Sequence, residues 1–318
     1  MQNLMKTLQS GLTLLVTLSL VFFTENKSVA ASPQQQISTG AHQYSITHNQ
    51  RSRFYDLHVP KRYKRNRRLP LVIVLHGGGG NGGSVKRMTG MSAKADKEGF
   101  IVAYPYGTGR FRKFALTWNA ANCCGYANEK NIDDVGFISA MIDKIQKDYG
   151  VDPRRIYATG ISNGGMMAFR LGVHLSNKIA AIAPVAAAFN EKDIQPEHPV
   201  SLLMINGILD KRVLYEGGFG PEAAIQREDR SVAATIALWI DFNKCYPESE
   251  VSHLQNRLVS KDEFKQGLDQ TSVVLYTLNG GGHAWPGGRS NFAISDTPNP
   301  KISATDIIWE FFKNNPKP

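Results

Sequence analysis

A serine flanked by glycines is the residue with the clearest chemistry in this chain. Ser162 lies in the sequence Gly160-Ile-Ser-Asn-Gly-Gly165, after the apolar run 155–159 and before the helix-like run 166–171. A G-x-S-x-G segment between a strand and a helix is typical of a nucleophile elbow, a turn so sharp that glycines must flank the serine. The pattern predicts that Ser162 is a nucleophile and that the N–H of Asn163 points into the same space. An ordinary tight turn is the alternative.

Two later loops can supply the base and the carboxylate that such a serine needs. The strand predicted over 200–205 runs into Asp210, and the strand predicted over 273–278 runs into three glycines and His283. A serine hydroxyl attacks only when a base removes its proton. In this architecture the acid and then the histidine follow the serine along the chain. The sequence therefore predicts a triad of Ser162, Asp210 and His283.

Other aspartates could take the place of Asp210. Asp229 and Asp241 are the substitutes, and both fall on a helix predicted over 227–243, which is the wrong place for the acid. Asp210 itself could instead be a loop aspartate that turns the chain.

A glycine-rich loop follows an early apolar strand. The strand predicted over 69–75 runs into His76 and a glycine-rich stretch over 77–83. Such a loop supplies the second backbone N–H of an oxyanion hole, opposite the N–H after the nucleophile. We expect the amides of Gly78 and Asn163 to hold the oxyanion, each contributing on the order of 3 kcal/mol to the transition state. A phosphate-binding loop is the alternative, but no Lys-Ser or Lys-Thr pair follows the glycines.

The amino terminus has the pattern of a secretory signal. A positive residue, Lys6, precedes an apolar stretch over 11–23, and small residues lie just before position 31. The apolar stretch is shorter than the roughly 20 residues of a spanning helix. We predict a signal peptide over 1–31, a single catalytic domain over 32–318, and a secreted or periplasmic protein without stable membrane association. An uncleaved amino-terminal anchor is the alternative.

A basic cluster accounts for much of the formal net charge of +10. Six of the eight residues from Lys61 to Arg68 are Lys or Arg. A basic stretch between two strands is most often a solvated hairpin loop, and weak binding to an anionic polymer or surface is the alternative. No aromatic interleaving or nucleic-acid motif accompanies the cluster, so no nucleic-acid partner is predicted.

The three cysteines predict one disulfide and one free thiol in an exported protein. A bridge between the neighbours Cys123 and Cys124 is geometrically awkward, so we expect Cys245 to pair with one of them. Two adjacent cysteines and one remote cysteine do not match a zinc-ligand spacing. We therefore predict no metal, and acyl transfer by a serine needs no cofactor.

Strands alternate with helices along most of the chain, which predicts an α/β fold with a mostly parallel sheet covered on both faces. No long helical insertion separates Val185 from Val200, so no large cap domain is expected. The pocket must then be shaped by loops at the carboxyl ends of the strands, chiefly 105–131 and 213–226.

Further motifs are spread between residues 55 and 312. They are His76-Gly-Gly-Gly79, Trp118-Asn-Ala120 with Cys123-Cys-Gly125, Val135-Gly-Phe137, Gly160 to Met167, Tyr215-Glu-Gly-Gly218 and Gly280 to Gly288. With these motifs the chain resembles the exported esterases grouped with polyhydroxybutyrate depolymerases and feruloyl or acetylxylan esterases. The resemblance implies an α/β-hydrolase fold and the triad named above. Where relatives usually read His-Gly-Thr before the acid, this chain has Asn206-Gly-Ile208.

The resemblance and the triad together predict two-step hydrolysis of carboxylic esters through an acyl-enzyme. Short or aromatic acyl esters are the expected substrates, such as feruloyl or acetyl esters on polysaccharide, or hydroxybutyrate oligomers. Trp118 and Trp285 are candidates for the pocket wall, where an aromatic ring would suit a feruloyl group or a sugar, and ordinary packing is the alternative. An acyltransferase and a non-catalytic binding protein are the alternative functions.

Overall fold

The computed structural model describes residues 38–255, 257–290 and 296–318, so the signal peptide predicted over 1–31 lies outside the described residues. The strands are β1 (Gly40–His48), β2 (Arg51–Val59), β3 (Leu69–Leu75), β4 (Ile101–Pro105), β5 (Val151–Ile161), β6 (Ala181–Val185), β7 (Ser201–Gly207), β8 (Gly218–Phe219), β9 (Glu228–Asp229), β10 (Glu250–Leu254), β11 (Val259–Phe264) and β12 (Val273–Leu278). The helices are α1 (Gly82–Thr89), α2 (Met91–Glu98), α3 (Gly125–Glu129), α4 (Asp134–Tyr149), α5 (Asn163–His174), α6 (Val232–Asn243) and α7 (Ala304–Asn314).

Ten of the strands form one sheet in the order β1-β2-β4-β3-β5-β6-β7-β12-β11-β10. The six strands from β4 to β12 in that order are parallel to one another. Antiparallel pairs extend the sheet at both edges. The carboxyl ends of the parallel strands therefore share one edge, where the loops after β3, β5, β7 and β12 meet. The predicted mostly parallel sheet is confirmed.

Helices cover both faces of the sheet. The central parallel strands are buried along nearly their whole length, because apolar side chains point to both faces. Helices α4, α5 and α6 contribute to the core on one face, and α1, α2 and α7 contribute to the core on the other. On the second face Tyr157 of β5 stacks on Phe312 of α7, with ring centroids 4.7 Å apart.

The connections between the strands leave the carboxyl edge open. Residues 186–199, between β6 and β7, contain no helix or strand, which confirms the expectation of no large cap domain. The long irregular segments lie after β4 and after β7, and the second of them includes the short pair β8 and β9. Within the described ranges no helix is long and apolar enough to cross a membrane.

Three local features differ from the sequence-based expectations. Helix α6 begins at Val232 instead of residue 227, because the Ser231 hydroxyl caps it by accepting a hydrogen bond from Ala234 N–H. Asp229 therefore lies in β9 and not on a helix. Strands β10 and β11 were not predicted, since their side chains are mostly polar and only partly buried or exposed.

The basic cluster is not a hairpin loop. Strand β4 lies between β2 and β3 in the sheet, so the segment from Lys61 to Arg68 crosses over from one to the other. Its basic side chains are exposed, and it ends where β3 begins, at the amino edge of the parallel strands. The cluster and the loops of the carboxyl edge therefore lie at opposite ends of the parallel strands.

The cysteines pair differently from the prediction. Cys123 and Cys124 are bonded to each other, and Cys245 is a buried free thiol. Cys245 follows α6 and lies 3.8 Å from the Thr271 carbonyl, near the amino end of β12. Cys123 lies beside the Asn163 side chain at the opposite edge of the sheet. The prediction that Cys245 joins Cys123 or Cys124 is wrong, because the length of the parallel strands separates them.

Candidate active site

Ser162 forms the tip of a strained turn between β5 and α5. Its backbone has φ 56° and ψ −125°, a conformation that non-glycine residues adopt only where the surrounding structure holds it. A Cβ on Gly160 would lie 2.6 Å from the carbonyl carbon of Gly164 and 2.7 Å from the Leu75 oxygen. A Cβ on Gly165 would lie 2.6 Å from that of Ala187. Glycines therefore allow the helix to start directly against two strands, and the predicted elbow geometry is observed.

The structure brings Asp210 and His283 together from loops that follow adjacent strands. Asp210 follows β7, His283 follows β12, and His283 Nδ1 lies 2.7 Å from Asp210 Oδ2. The other carboxylate oxygen accepts the N–H groups of Arg212 and Val213 at 2.8 and 2.9 Å. Both side chains are buried. Because the carboxylate accepts from Nδ1, the Nε2 atom is left as the proton acceptor, and His283 and Ser162 line the same cavity.

Asp296 holds the backbone of His283 in place, and sequence reasoning did not find it. The His283 N–H donates to Asp296 Oδ2 at 2.6 Å, and the Asp296 N–H donates to the His283 carbonyl at 2.9 Å. Asp296 lies in a loop without a motif, so its type and spacing carried no signal. These two hydrogen bonds fix the backbone from which the His283 imidazole extends.

The glycine-rich loop after β3 lies against the elbow. A Cβ on Gly77 would be 3.6 Å from the Ser162 Cβ, and one on Gly78 would be 3.8 Å from the Asn163 Cβ. The amides of Gly79 and Gly80 donate to the Leu116 and Gly77 carbonyls. The Gly78 amide donates no such hydrogen bond to a backbone carbonyl of the described residues. Gly78 also lines the cavity.

His76 holds this loop in place as a buried, neutral imidazole. Its Nδ1 lies 2.8 Å from the Gly77 carbonyl, and its Nε2 accepts the N–H of Gly107 at 3.0 Å. The ring is fully buried, and the loss of solvent lowers the pKa of His76 from 6.5 to about 4. The hydrogen-bond pattern agrees with that direction, because a second ring proton would face the Gly107 N–H.

Trp118 is a packing residue and not part of the cavity wall. Its indole N–H donates to the His76 carbonyl at 2.9 Å, and its ring packs against the His76 imidazole. The Asn163 side chain accepts from the Trp118 N–H at 2.7 Å and donates to its carbonyl at 3.1 Å. Through these bonds Trp118 ties the elbow to the glycine-rich loop after β3.

Trp285 does not line the cavity either. It is 1% exposed, and its indole N–H donates to the hydroxyl of Thr305 in α7 at 3.1 Å. The expectation that Trp118 and Trp285 form the pocket wall is therefore wrong. Both rings are fixed inside the protein because their N–H groups find buried acceptors there.

The cavity above Ser162 has a volume of about 260 Å³ and a mainly small and aliphatic wall. Both loops predicted to shape the pocket contribute to this wall. The loop 105–131 supplies Thr117 and Cys124, and the loop 213–226 supplies the segment 223–225. Two charged side chains, Arg212 and Arg227, complete the wall, and sequence reasoning singled out neither. No group of residues in the described ranges has the composition and spacing of a metal site.

Comparison with known proteins shows which proteins this chain is similar to. The family described as "Esterase PHB depolymerase" matches residues 54–192. Over that segment the chain is similar to this esterase family. "Putative esterase NocK" from Nocardia uniformis subsp. tsuyamanensis is 28% identical over 281 residues, which are 82% of this chain and 79% of that protein. Feruloyl esterase B from Piromyces equi is 29% identical over 238 residues, which are 72% of this chain and 42% of that protein.

Solved structures of the same architecture support the fold assignment. Acetyl xylan esterase from Aspergillus awamori superposes with a TM-score of 0.58 and 14% sequence identity, covering 86% of this chain and 99% of that structure. The fold of the esterase is therefore that of an α/β-hydrolase. Together with the esterase relatives, this fold identifies the chain as a carboxylic ester hydrolase.

Proposed function

We propose that this esterase works through an acyl-enzyme on Ser162. The observation that carries the proposal is the convergence of Ser162, the Asp210–His283 pair and the Gly78 loop on one cavity. His283 Nε2 takes the Ser162 proton as the hydroxyl oxygen attacks the ester carbonyl, and Asp210 stabilises the resulting imidazolium. The alcohol leaves with that proton. Water then attacks the acyl-enzyme, again through His283, and releases the acid.

The developing oxyanion is held by backbone amides in this proposal. The N–H of Asn163 begins α5, where the amides of the first turn have no partners within the helix and the helix dipole is positive. The Gly78 amide approaches from the other side. Because Asn163 and Trp118 clamp the two loops together, the donors are preorganised and need not rearrange during the reaction.

For the substrate we propose esters with compact acyl groups. The small, mainly aliphatic cavity offers little wall for a long alkyl chain, and each buried methylene contributes only about 0.8 kcal/mol where a wall exists to receive it. Feruloyl and acetyl esters on polysaccharide, or short hydroxybutyrate oligomers, are the natural candidates, in keeping with the names of the relatives. The buried positions of Trp118 and Trp285 remove the reason to favour a feruloyl group.

We also propose that the chain is exported with residues 1–31 as its signal peptide, leaving a single catalytic domain over 32–318. The apolar stretch and the small residues before position 31 support this. Weak attachment to an anionic polymer through the exposed cluster from Lys61 to Arg68 would leave the carboxyl edge of the sheet free for substrate.

The decisive experiment replaces the nucleophile. Ser162→Ala is expected to lower kcat on p-nitrophenyl acetate by roughly 10⁵- to 10⁶-fold, leaving only oxyanion stabilisation and binding. Its far-ultraviolet circular dichroism and melting temperature should match the wild type, because the glycines and not the hydroxyl set the turn. Ser52→Ala, in an exposed part of β2, is the matched control.

Near-normal turnover by Ser162→Ala would refute the acyl-enzyme mechanism. Labelling by a fluorophosphonate, present in the wild type and absent in the variant, reports the nucleophile directly. Product analysis with added glycerol separates a hydrolase from an acyltransferase, since a transferase would yield the glycerol ester in place of the free acid.

A further inference from the structure

The two arginines in the cavity wall have no role in the chemistry of a neutral ester. Arg212 and Arg227 line the same cavity as Ser162 and His283, whereas most of the remaining wall is glycine, alanine and aliphatic side chains. The oxyanion is already served by backbone amides. A cation in this wall therefore needs another explanation, and the two arginines differ in what they offer.

Arg227 is fully engaged within the protein. Its Nε and Nη2 lie 2.9 and 3.0 Å from the two carboxylate oxygens of Asp229, and its Nη1 donates to the Ile225 carbonyl at 3.2 Å. The Asp229 side chain is 1% exposed. This bidentate pair balances the charge of Arg227 and fixes the segment 223–227 that forms one side of the cavity.

Arg212 has no such partner. Within residues 38–255, 257–290 and 296–318, no carboxylate forms an ion pair with its guanidinium, and its buried Nε has no hydrogen-bond acceptor. The backbone of Arg212 is held by Asp210. A buried donor without an acceptor is costly, and such groups in native proteins usually have a partner supplied by water or a ligand.

The nearby carboxylates are committed elsewhere. Asp210 accepts from His283 and from two backbone amides, and Asp229 is paired with Arg227. The neighbouring Lys211 is 67% exposed and lies 3.5 Å from Glu222. An anionic group that enters the cavity therefore meets Arg212 as its available cation.

We propose that Arg212 binds a carboxylate of the substrate, so that this enzyme prefers esters that carry a negative charge near the scissile bond. The inference rests on the proposed function, because Ser162 must be the nucleophile for the cavity to hold the ester. Guanidinium is planar and matches a carboxylate with two parallel hydrogen bonds. The carboxylate can belong to the alcohol side, as in the free end of a hydroxy-acid oligomer, or to the acyl side, as in a half-ester of a diacid.

Two matched substrate pairs test the proposal and distinguish the two sides. The hydroxybutyrate dimer and its primary amide differ mainly in the charge on the alcohol side, and the amide adds no second ester bond. Mono-p-nitrophenyl glutarate and p-nitrophenyl butyrate place the difference on the acyl side. We expect kcat/KM for the charged member of one pair to exceed that for its neutral partner by roughly tenfold or more, the range of a charge-assisted hydrogen bond.

Arg212→Gln should lower kcat/KM for the charged ester by roughly tenfold or more beyond its effect on the neutral partner, and Arg212→Lys should restore part of the preference. Lys211→Gln is the matched control, since it removes the same charge one residue away without lining the cavity. It should leave the preference intact.

Three results would overturn the inference. They are a wild type that treats both members of both pairs alike, an equal loss on charged and neutral esters in Arg212→Gln, and an equal loss of preference in Lys211→Gln. The second would mean that Arg212 only supports the Asp210 loop, and the third would mean a long-range charge effect. If the wild type hydrolysed neither the neutral nor the charged esters, that result would instead refute the proposed function.

Discussion

The segment 54–192 and the segment 193–318 hold their parts of the site by different means. In the first, Ser162 and the oxyanion loop are fixed by backbone packed on backbone at Gly160 and Gly164, and by the clamp between Asn163 and Trp118. In the second, Asp210 and His283 are fixed by carboxylate hydrogen bonds to loop amides. Only the first segment is matched by the family description.

The two segments also differ in what they contribute to the cavity: the first supplies the nucleophile, and the second supplies the charged side chains of the wall. The nucleophile segment leaves little room for change at its elbow, because a Cβ on Gly160 or Gly164 would lie within 2.7 Å of main-chain atoms. The second segment contributes Arg212, Arg227 and the wall at 223–225 from loops that tolerate substitution more easily. The charged part of the cavity wall, Arg212 and Arg227, thus comes from residues after 192, whereas most of the uncharged wall comes from the first segment.

Removing the charge of the acid should give the largest effect in the second segment. Asp210→Asn is expected to lower kcat by about 10⁴-fold, because the amide favours the wrong histidine tautomer and cannot stabilise the imidazolium. Steady-state hydrolysis of p-nitrophenyl acetate measures the loss. The folded structure should persist, since the amide oxygen can still accept the two loop N–H groups.

Asp229→Asn is the matched comparison for the acid. Asp229 is also buried and also lies in the second segment, but it pairs with Arg227 instead of a histidine. We expect a modest loss of stability and of kcat/KM, not a loss of several orders of magnitude. If the two variants behaved the other way round, Asp210 would not be the acid.

A methyl group added at the elbow in the first segment should lower both stability and activity, whereas one added at an open position in the second segment should change neither. A Cβ at Gly160 would lie 2.6 Å from main-chain carbon of Gly164, while one at Gly280 would meet nothing within 4 Å. We expect Gly160→Ala to lower the free energy of unfolding by about 3 kcal/mol or more and to remove activity, because overpacked main chain must shift. Gly280→Ala should stay within about 0.5 kcal/mol of the wild type.

Urea unfolding of the two glycine variants provides the measurement. Equal stability of Gly160→Ala and Gly280→Ala, with activity retained in both, would contradict the rigid elbow. Loss of activity with unchanged stability in Gly160→Ala would place the effect in the position of Ser162 alone.

The parts of this site that sequence could predict are those set by local rules. The alternation of strands and helices predicted the sheet, and the glycines around Ser162 predicted the elbow, because both follow from short-range sterics and periodicity. The approach of Asp210 to His283 followed from the parallel order of the strands. No local rule states which way a buried ring points, so Trp118 and Trp285 were placed in the wrong surroundings.

The cysteine pairing and the cationic wall were missed for a related reason. The distance between Cys245 and Cys123 depends on which edge of the sheet each connection reaches, and the sequence does not state this. Arg212 and Arg227 are two of many basic residues in a chain of net charge +10, so composition gave them no prominence. Their difference arises only in three dimensions, where one finds a carboxylate and the other does not.

The smallest expected effect concerns His76, which links the first segment to its oxyanion loop. Burial lowers its pKa to about 4, whereas the unfolded chain takes up the proton near 6.5. Between those values the unfolded state binds more protons than the folded state. The contribution of neutral His76 to the free energy of unfolding is therefore complete above pH 6.5 and is lost as the pH falls towards 4. The loss should be about 1.4 kcal/mol for each pH unit below 6.5 and about 3 kcal/mol in total.

Unfolding free energies from urea titrations at pH 7, 5.5 and 4.5 test this dependence. His76→Gln keeps a donor and an acceptor for the Gly77 carbonyl and the Gly107 N–H but cannot titrate. It should be less stable than the wild type at pH 7 and lose less stability on acidification. His253→Gln, exposed on β10, should keep the wild-type slope. If His76→Gln kept that slope as well, the buried imidazole would not be the acid-sensitive group, and the acid sensitivity would have to be sought outside the first segment's oxyanion loop.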